Sequence, residues 1–285
     1  VTHFNASNPG EVSAPILDND QRITRGMTSF ALENEYEATS GALSFFYNWG
    51  RHRIDDGYSP GEQPLDYRFN SRDRMLGVSW YQSMRHFRGN RLTEGVEYFH
   101  FGGESWNEFA AGGRESETDK VRDEVAGSAD FRQPIGRLLT LDAGLRIDRH
   151  SHVGVEWVPQ AGLSFHLPAN AEIKLSAAKG FRYPTIREMY MFPPRNPDLK
   201  PERIWSYELA FSHSTAGGRL SYGINLFYID GENLILRVPV DGRPMNINTG
   251  RIEHAGVEAQ IAWRISAAWS ADANYSYLHM EHPVL

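Results

Sequence analysis

The chain has 285 residues, enough for one large domain or two ordinary ones. Its net charge of -7 argues against a nucleic-acid partner, because phosphate binding needs a basic surface. It contains no cysteine, which excludes disulfides, Cys-based zinc sites and a cysteine nucleophile. Charged residues make up 23% of the chain and leave no apolar run long enough for a transmembrane helix, so a helical membrane protein is excluded.

The balance of residue types favours an all-β protein. Aromatic residues make up 12% of the chain, alongside 26 glycines and 15 prolines. Aromatic side chains are enriched in strands, whereas glycine and proline mark turns, so many strands joined by many turns are predicted.

Apolar and polar side chains alternate from about residue 27 onward, and this alternation predicts antiparallel strands with one apolar face. We count roughly twelve such strands, in about six hairpins. In chain order, the apolar positions of the clearest runs are Leu43, Phe45, Tyr47 and Trp49, then Leu139, Leu141, Ala143, Leu145 and Ile147, then Trp157, Pro159, Ala161, Leu163, Phe165 and Leu167, then Leu220, Tyr222, Ile224, Leu226 and Tyr228, then Val257, Ala259, Ile261 and Trp263, and finally Trp269, Ala271, Ala273, Tyr275 and Tyr277.

The connections between these runs alternate in length. Tight turns on one rim and long loops on the other are typical of an outer-membrane β-barrel, in which the short turns face the periplasm. Short turns are predicted near residues 38–41, 87–90, 134–137, 168–170, 214–218 and 266–268, and long polar segments near 52–73, 102–122, 182–203 and 229–250, with a brief one near 149–153.

Tryptophans lie at the ends of the apolar faces. Trp157 is near a long-loop end, whereas Trp263 and Trp269 flank a short turn. Aromatic residues at both ends of apolar faces about ten residues long match the two aromatic girdles of a membrane barrel. The alternative is a soluble β-sandwich with tryptophans in its core, but a sandwich has no reason to sort its connections by length.

Residues 178–210 carry a distinctive set of motifs. The segment resembles the barrel of TonB-dependent receptors, in which one strand ends in Gly-Phe-Arg-x-Pro-Thr-x-x-Glu and the next follows Asn-Pro-x-Leu-Lys-Pro-Glu. The matching residues are Gly180, Phe181, Arg182, Pro184, Thr185 and Glu188, then Asn196, Pro197, Leu199, Lys200, Pro201 and Glu202 followed by Ser206, Tyr207 and Glu208, and later Phe227, Tyr228, Asn248, Gly250, Gly256, Val257 and Glu258.

This resemblance implies a transmembrane antiparallel barrel of about twenty-two strands with an N-terminal plug that contacts TonB. We therefore expect residues 1–285 to be an incomplete arc of barrel wall, without the plug and without about ten strands. An isolated arc would expose two unpaired edges in the bilayer, so we expect the rest of the barrel to come from further residues or other chains. The expected partners are outer-membrane lipid, the TonB complex, a small-molecule nutrient and a surface lipoprotein, with no cofactor and no nucleic acid.

Physical chemistry explains why some of the motif residues occur at these positions. Pro184 and Pro201 fix φ and remove hydrogen-bond donors, so they are predicted to mark strand ends. Arg182, Glu188, Glu202 and Glu208 are expected to form ion pairs in the wall or loops, with direct ligand contact as the alternative. Ligand contact is predicted for aromatic, arginine and amide side chains in the long polar segments, namely Trp106, Asn107, Arg114, Tyr190, Phe192, Arg195 and Arg243.

Metal and catalytic sites are not predicted. His150 with His152, and His279 with His282, lack a third ligand at a convincing spacing. The segment 18–20 could hold calcium, but a turn is the simpler interpretation. Asp148, His150 and His152 are the nearest approach to a catalytic cluster, and no nucleophile motif accompanies them.

The function that fits these features is energy-coupled import of a scarce, bulky nutrient, such as a ferric siderophore, haem or cobalamin, across the outer membrane of a Gram-negative bacterium. The alternatives are a passive porin, an adhesive or structural barrel, and a soluble β-sandwich.

Overall fold

The computed structural model describes residues 1–191 and 193–281, and within them the architecture is a single large antiparallel sheet. Thirteen strands form this sheet, each bonded to its neighbour in chain order, while a small hairpin lies apart. The strands are β1 (Thr2–Ala6), the small hairpin β2 (Gly10–Glu11) and β3 (Ala14–Pro15), then β4 (Asp20–Glu35), β5 (Thr39–Asp55), β6 (Tyr67–Met84), β7 (Arg91–Phe109), β8 (Arg114–Ile135), β9 (Leu139–His150), β10 (Gly154–Leu167), β11 (Ala171–Arg182), β12 (Glu202–Ser214), β13 (Leu220–Val240), β14 (Arg243–Arg264) and β15 (Ser270–Glu281).

The sheet does not close on itself within the described residues, since β1 and β15 each have one neighbour. The predicted fold class, an incomplete arc of an antiparallel barrel wall, is thus confirmed. Strands β4 to β15 correspond to the roughly twelve that the alternation predicts. The additional strand, β1, is exposed along its whole length and has only five residues, too few to show a clear alternation.

The apolar side chains face away from any core. Leu43, Leu145 and Trp157 are 44%, 44% and 55% exposed, and Trp269 is 73% exposed. A soluble sandwich would bury these residues between two sheets, so this alternative is wrong. Among the described residues, no helix is long and apolar enough to cross a membrane.

The register places alternate side chains on two distinct faces. On β9 and β10, Leu145 lies opposite Pro159 and Ile147 opposite Trp157, all on the outward, lipid-facing side. The residues between them, such as Asp148 opposite Glu156, point to the inward face. We use "outward" and "inward" below for these two faces.

Two of the predicted long loops are strands. Residues 110–113 are the only connection between β7 and β8, and residues 241–242 the only one between β13 and β14, so segments 102–122 and 229–250 mostly continue the sheet. Beyond the bilayer neither face needs to be apolar, so the alternation disappears while the ladder of backbone hydrogen bonds persists. The other two predicted long segments do contain loops, residues 56–66 and 183–201.

Candidate functional site

The motif loop, residues 183–201, connects β11 to β12 and folds back over the inward face of the sheet. Its Tyr190 hydroxyl accepts a hydrogen bond from Arg122 Nη2 at 2.9 Å and lies 2.9 Å from His152 Nε2. Arg195 donates to the backbone oxygen of Glu117 at 2.8 Å and to its carboxylate at 3.1 Å. The loop is therefore fixed against β8 and the β9–β10 turn.

Arg182 joins the two ends of this loop. Its Nε donates to Glu202 at 2.6 Å, and its two terminal nitrogens donate to Glu188 at 2.8 and 3.0 Å. β11 ends at Arg182 and β12 begins at Glu202. The guanidinium thus holds together the points at which the chain leaves and re-enters the sheet.

Thr185 and Glu188 cap the helical turn at Arg187–Met191. The Glu188 carboxylate accepts from the Thr185 backbone nitrogen at 2.8 Å, and the Thr185 hydroxyl accepts from the Glu188 backbone nitrogen at 3.1 Å. This reciprocal pair is a capping box, which satisfies backbone donors that a helix end leaves free. Met189 is fully buried beneath the turn.

Asparagines tie the second half of the loop to β13 and β14. Asn248 accepts from the Lys200 backbone nitrogen at 2.7 Å and donates to the backbone oxygens of Lys200 and Asn233 at 2.9 and 2.7 Å. Asn196 donates to the Asn246 carbonyl, and Asn246 donates in turn to the Glu188 carbonyl, both at 2.9 Å. Separate motif segments therefore meet in one structure, and Asn246 is a member that the sequence did not reveal.

Four other motif residues lie lower in the wall, apart from this cluster. The ring of Phe227 occupies the space beside Gly256, where an added Cβ would be 2.3 Å from it. Glu208 lies opposite Ser176 and Phe227, and Glu258 lies opposite Asn225 and Ser276. The predicted ion pairing thus describes Arg182, Glu188 and Glu202, whereas no carboxylate-cation pair of Glu208 is found among the described residues.

Burial alone would raise the pKa of Glu188, but the hydrogen bonds from Arg182 and Thr185 outweigh it and hold the pKa below its ordinary value of 4.5. A depressed pKa means that the ionised carboxylate stabilises the folded loop at every pH above the ordinary value. That contribution is lost as the pH falls through the lower, folded pKa.

We therefore expect the order of the motif loop to be constant between about pH 5 and pH 8 and to decline in more acidic solution. A spin label at the exposed position 198 would report this as a rise in mobility on acidification. A Glu188→Gln variant lacks this titrating carboxylate but keeps Glu202, which Arg182 also contacts, so its label should show a smaller acid transition. An identical transition in both proteins would contradict the assignment.

A cavity of about 1000 Å³ lies on the inward face next to the motif loop. In it, Arg25 donates to Asp73 at 2.8 Å and lies 3.1 Å from His52. The wall combines charged groups with aromatic and thioether side chains, a mixture suited to a bulky ligand with polar substituents. The lining residues include Arg25, His52, Asp73, Glu124, His150, Arg182, Phe69, Met75, Phe101, Phe181, Tyr183 and Met191.

The residues predicted to contact a ligand lie elsewhere. Tyr190 and Arg195 are in the motif loop but bond to the protein, and Arg243 begins β14 at the rim. Phe192 lies outside the described residues. Apart from Phe192, none of the seven predicted residues lines the cavity. Their role in ligand binding stays a prediction.

The loop location predicted for Trp106, Asn107 and Arg114 is wrong, because these residues belong to β7 and β8. Trp106 is buried on the outward side, with the Arg114 guanidinium 4.0 Å from its ring centroid. Asn107 donates to Glu117 at 2.9 Å. The strands continue here beyond the membrane, where the sequence no longer alternates.

The histidines and acids considered for metal or catalysis have structural partners. His150 Nδ1 accepts from the backbone nitrogens of His152 and Val153, at 3.2 and 3.1 Å, and so caps the β9–β10 turn. Asp148 is bound by Arg146. His282 lies outside the described residues, and the residues that the structure describes contain no group of three or more potential metal ligands.

The segment 18–20 forms a turn. Asn19 accepts hydrogen bonds from the Asn8 backbone and the Gln21 side chain, and Asp20 pairs with Arg22 at 3.2 Å. Two of the three oxygen-bearing side chains of this segment are therefore engaged with protein groups.

A buried ion cluster lies in the wall between β10 and β11, where sequence reasoning predicted none. Lys179 Nζ is 2.9 Å from the Glu156 carboxylate and 2.9 Å from the Trp157 carbonyl oxygen. Arg203 bonds the same carboxylate, with its Nε 3.0 Å from each oxygen. The side chains of Glu156 and Lys179 are only 3% and 5% exposed.

This cluster occupies a break in the sheet. Pairing of β10 with β11 stops at Gln160, opposite Ala178. The next residue of β10 toward the rim of the motif loop is Pro159. Proline has no backbone N–H with which to continue the ladder. Side chains take over beyond it, since Lys179 donates to the Trp157 carbonyl and Tyr183 to the Gly154 carbonyl at 3.1 Å.

A known protein family matches nearly the whole chain. The family described as "TonB dependent receptor-like, beta-barrel" matches residues 3–283. Among curated proteins, a vitamin B12 transporter of Photobacterium profundum is 24% identical over 66% of this chain and 31% of its own length. An iron-regulated outer membrane virulence protein of Vibrio cholerae is 23% identical over 87% of this chain and 41% of its own length. The chain therefore spans less than half the length of these relatives.

Solved structures share the fold. A mutant of the ferric enterobactin receptor of Pseudomonas aeruginosa superposes with a TM-score of 0.74 at 18% identity, covering 91% of this chain and 43% of the receptor. The RagAB peptide importer gives a TM-score of 0.69 at 13% identity, covering 94% of this chain and 37% of its own. At these identities the likeness establishes the fold alone.

Proposed function

The chain belongs to the TonB-dependent receptor-like β-barrel family, and from that premise we propose that the protein containing it imports a scarce, bulky nutrient by energy-coupled transport. The chain is part of the outer membrane of a Gram-negative bacterium, as its relatives are. We further propose that residues 1–285 are all barrel wall. The relatives named for vitamin B12 transport and iron regulation favour cobalamin or an iron complex, such as a ferric siderophore or haem.

One observation carries this proposal: a folded motif loop borders a cavity of about 1000 Å³ on the inward face, near the rim opposite the short turns. Arg182, Glu188 and the asparagines hold the loop against the wall. A passive pore needs an open lumen, whereas a receptor for a rare ligand needs a fixed, shaped surface. The motif loop and the cavity provide such a surface.

The proposed partners follow from the family. We propose that a plug domain occupies the lumen and contacts TonB, that further strands complete the barrel, and that lipid covers the outward face. A surface lipoprotein above the rim is a further proposed partner. We propose that the protein carries out no chemistry on its cargo. In support, the curated relatives are named as a vitamin B12 transporter and an outer membrane virulence protein.

Uptake by cells that express the full-length protein tests this function. In a strain without other receptors for these compounds, labelled cobalamin, a ferric catecholate siderophore and haem would be supplied separately. We expect one of them to accumulate, and we expect accumulation to stop when TonB is deleted while binding at the cell surface remains.

The matched control is the same strain with the empty vector. Accumulation of small unrelated solutes without TonB would indicate a pore and contradict the proposal. Failure of all three nutrients to bind would exclude the proposed substrate classes.

A further inference from the structure

The cavity beside the motif loop has an inward lining whose guanidinium groups are all engaged by the protein. Arg25 donates to Asp73 at 2.8 Å. Arg182 donates to the two carboxylates at the ends of the motif loop, and Arg187 is not without a partner either. Within the part of the chain that the structure describes, no inward guanidinium of this cavity is therefore left to bind a ligand.

Two further arginines border the cavity but belong to the outward face of β6. Arg72 lies opposite Arg51, and Arg74 lies opposite Trp49. The alternation along β5 places these partners outward. Arg72 is also 3.6 Å from Glu104. Neither guanidinium begins on the side of the sheet that faces the lumen.

Two more cations, on the inward face of β8, are turned toward the motif loop. Lys120 Nζ and the Arg122 guanidinium lie 5.1 and 5.4 Å from the centroid of the Tyr190 ring, and Arg122 donates to the Tyr190 hydroxyl. Neither side chain lines the cavity. They hold the loop and do not offer their charge to a ligand in the cavity.

Both histidines that line the cavity are uncharged in this arrangement. A guanidinium can only donate, so His52 Nε2, which is 3.1 Å from Arg25 Nη2, must accept. His150 Nδ1 accepts from the backbone nitrogens of His152 and Val153. A ring nitrogen that accepts a hydrogen bond carries no proton, so neither imidazole is a cation.

Two carboxylates of the lining lack a compensating cation. Among the described residues, no cation lies within ion-pair distance of Glu124, inward on β8, or of Asp56, at the start of the loop 56–66. Arg146, on the strand next to Glu124, is bound by two other carboxylates. Burial and the neighbouring Asp55 raise the pKa of Asp56, whereas a nearby cation would lower it. The uncompensated charge of this cavity is therefore negative.

Two buried hydroxyl groups of the lining also lack a partner. Ser105 is 1% exposed and Thr118 is 7% exposed, and they lie directly opposite each other on β7 and β8. Neither Ser105 Oγ nor Thr118 Oγ1 has a hydrogen-bond partner among the described residues. A buried polar group without a partner is costly, and the cost is removed when a ligand supplies the missing hydrogen bonds.

We propose that this cavity selects a bulky ligand that has no net negative charge and presents hydrogen-bond donors to Glu124, Asp56 and the hydroxyls of Ser105 and Thr118, a proposal that rests on the import function above. An anionic ligand would meet unpaired carboxylates and no free cation, and like charges brought together disfavour binding. Donors such as carboxamides complete the hydrogen bonds of these oxygens. Among the nutrients considered above, cobalamin has a periphery of carboxamides, whereas ferric catecholate complexes are polyanionic and haem carries propionate groups.

Ligand binding by the full-length protein in detergent, measured by equilibrium dialysis, tests the proposal. The probes are cyanocobalamin, the ferric complex of a tricatecholate siderophore, and haem. Cyanocobalamin should bind about a hundredfold more tightly than either anionic probe, because like charges repel strongly in a partly buried site. Equal or tighter binding of an anionic probe would overturn the proposal, and so would a failure of cyanocobalamin to bind.

Replacing Glu124 with glutamine should have opposite effects on the two kinds of probe. Cyanocobalamin should bind about tenfold more weakly, because a hydrogen bond to a carboxylate is stronger than one to an amide. The anionic probes should bind about tenfold more tightly, because a like charge is removed. Glu208→Gln is the matched control, since Glu208 is also inward, has no cation partner among the described residues and lies outside this cavity. A shift of all three affinities in one direction would indicate a structural role for Glu124 and contradict the proposal.

A double variant, Ser105→Ala with Thr118→Val, should weaken cyanocobalamin binding about tenfold and leave the midpoint of urea unfolding unchanged, because these hydroxyls have no protein partner to lose. The matched control is Ser44→Ala with Ser79→Ala, a directly opposed inward pair outside the cavity. Its affinity should equal that of the unmodified protein. Unchanged affinity of the Ser105 and Thr118 variant with a lower urea midpoint would show that the hydroxyls bond to protein, and would overturn their assignment.

The import function and this selectivity fail in different ways. TonB-dependent uptake of an iron complex that binds more tightly than cyanocobalamin would leave the import function standing and overturn the selectivity. Uptake without TonB would contradict the import function whatever the relative affinities of the three probes.

Discussion

Replacing Glu156 with alanine is expected to destabilise the folded barrel by about 3–5 kcal/mol, because it leaves Lys179 buried without its carboxylate. Lys179 is 5% exposed and has Glu156 and the Trp157 carbonyl as its hydrogen-bond partners. Arg203 loses the same carboxylate. The measurement is the midpoint of urea unfolding of the full-length protein in detergent micelles.

The matched control is Glu232→Ala, which removes the other carboxylate partner of Arg203. Glu232 lies 3.3 Å from Arg203 and is 56% exposed, so its loss should cost no more than about 1 kcal/mol. A double variant, Glu156→Leu with Lys179→Met, should recover most of the lost stability, because apolar replacements remove both buried charges together. Equal effects of Glu156→Ala and Glu232→Ala would show that the buried cluster does not stabilise the wall.

Alternation predicted the membrane part of the fold because lipid contacts one face of every strand. Leu139, Leu141 and Leu145, for example, must be apolar, while the residues between them face the lumen. This constraint ends at the bilayer surface. Segments 102–122 and 229–250 continue as strands with polar residues on both faces, and the sequence gives no periodic signal for them.

The motif loop could be predicted in part. Pro184 and Pro201 marked the ends of β11 and β12, and ion pairing was expected for Arg182, Glu188 and Glu202. Which acid pairs with which base depends on how residues 183–201 fold back, and this is set by tertiary contacts such as those of Asn246 and Asn248.

The sequence carries one signal of the buried cluster at Glu156. Pro159 stands within an apolar run that otherwise predicts a central strand, and proline there implies an interrupted ladder. The residues that fill the interruption, Lys179 and Arg203, come from two other strands. A local sequence pattern indicates the gap but does not identify its occupants.

Replacing Arg182 with alanine is expected to release the motif loop from the wall. Three hydrogen bonds from Arg182 to Glu188 and Glu202 would be lost, and two carboxylates would be left near each other without a cation. Hydrogen bonds to charged groups are worth about 1.5–3 kcal/mol, but Arg182 is 43% exposed and solvent reduces this, so we expect a loss of about 1–3 kcal/mol. Trypsin cleavage after Arg195, identified by mass spectrometry, should then be about 10- to 100-fold faster.

Arg251→Ala is the matched control, since Arg251 also contacts two carboxylates, is 53% exposed and lies outside the motif loop. It should leave cleavage after Arg195 unchanged. Arg182→Lys keeps the charge but cannot reproduce the forked contact with Glu188, so its cleavage rate should fall between those of the unmodified protein and Arg182→Ala. Because the loop borders the cavity, the affinity for the imported nutrient should decrease in the same order. If Arg182→Ala and Arg251→Ala were cleaved at the same rate, the contacts of Arg182 would not hold the loop against the wall.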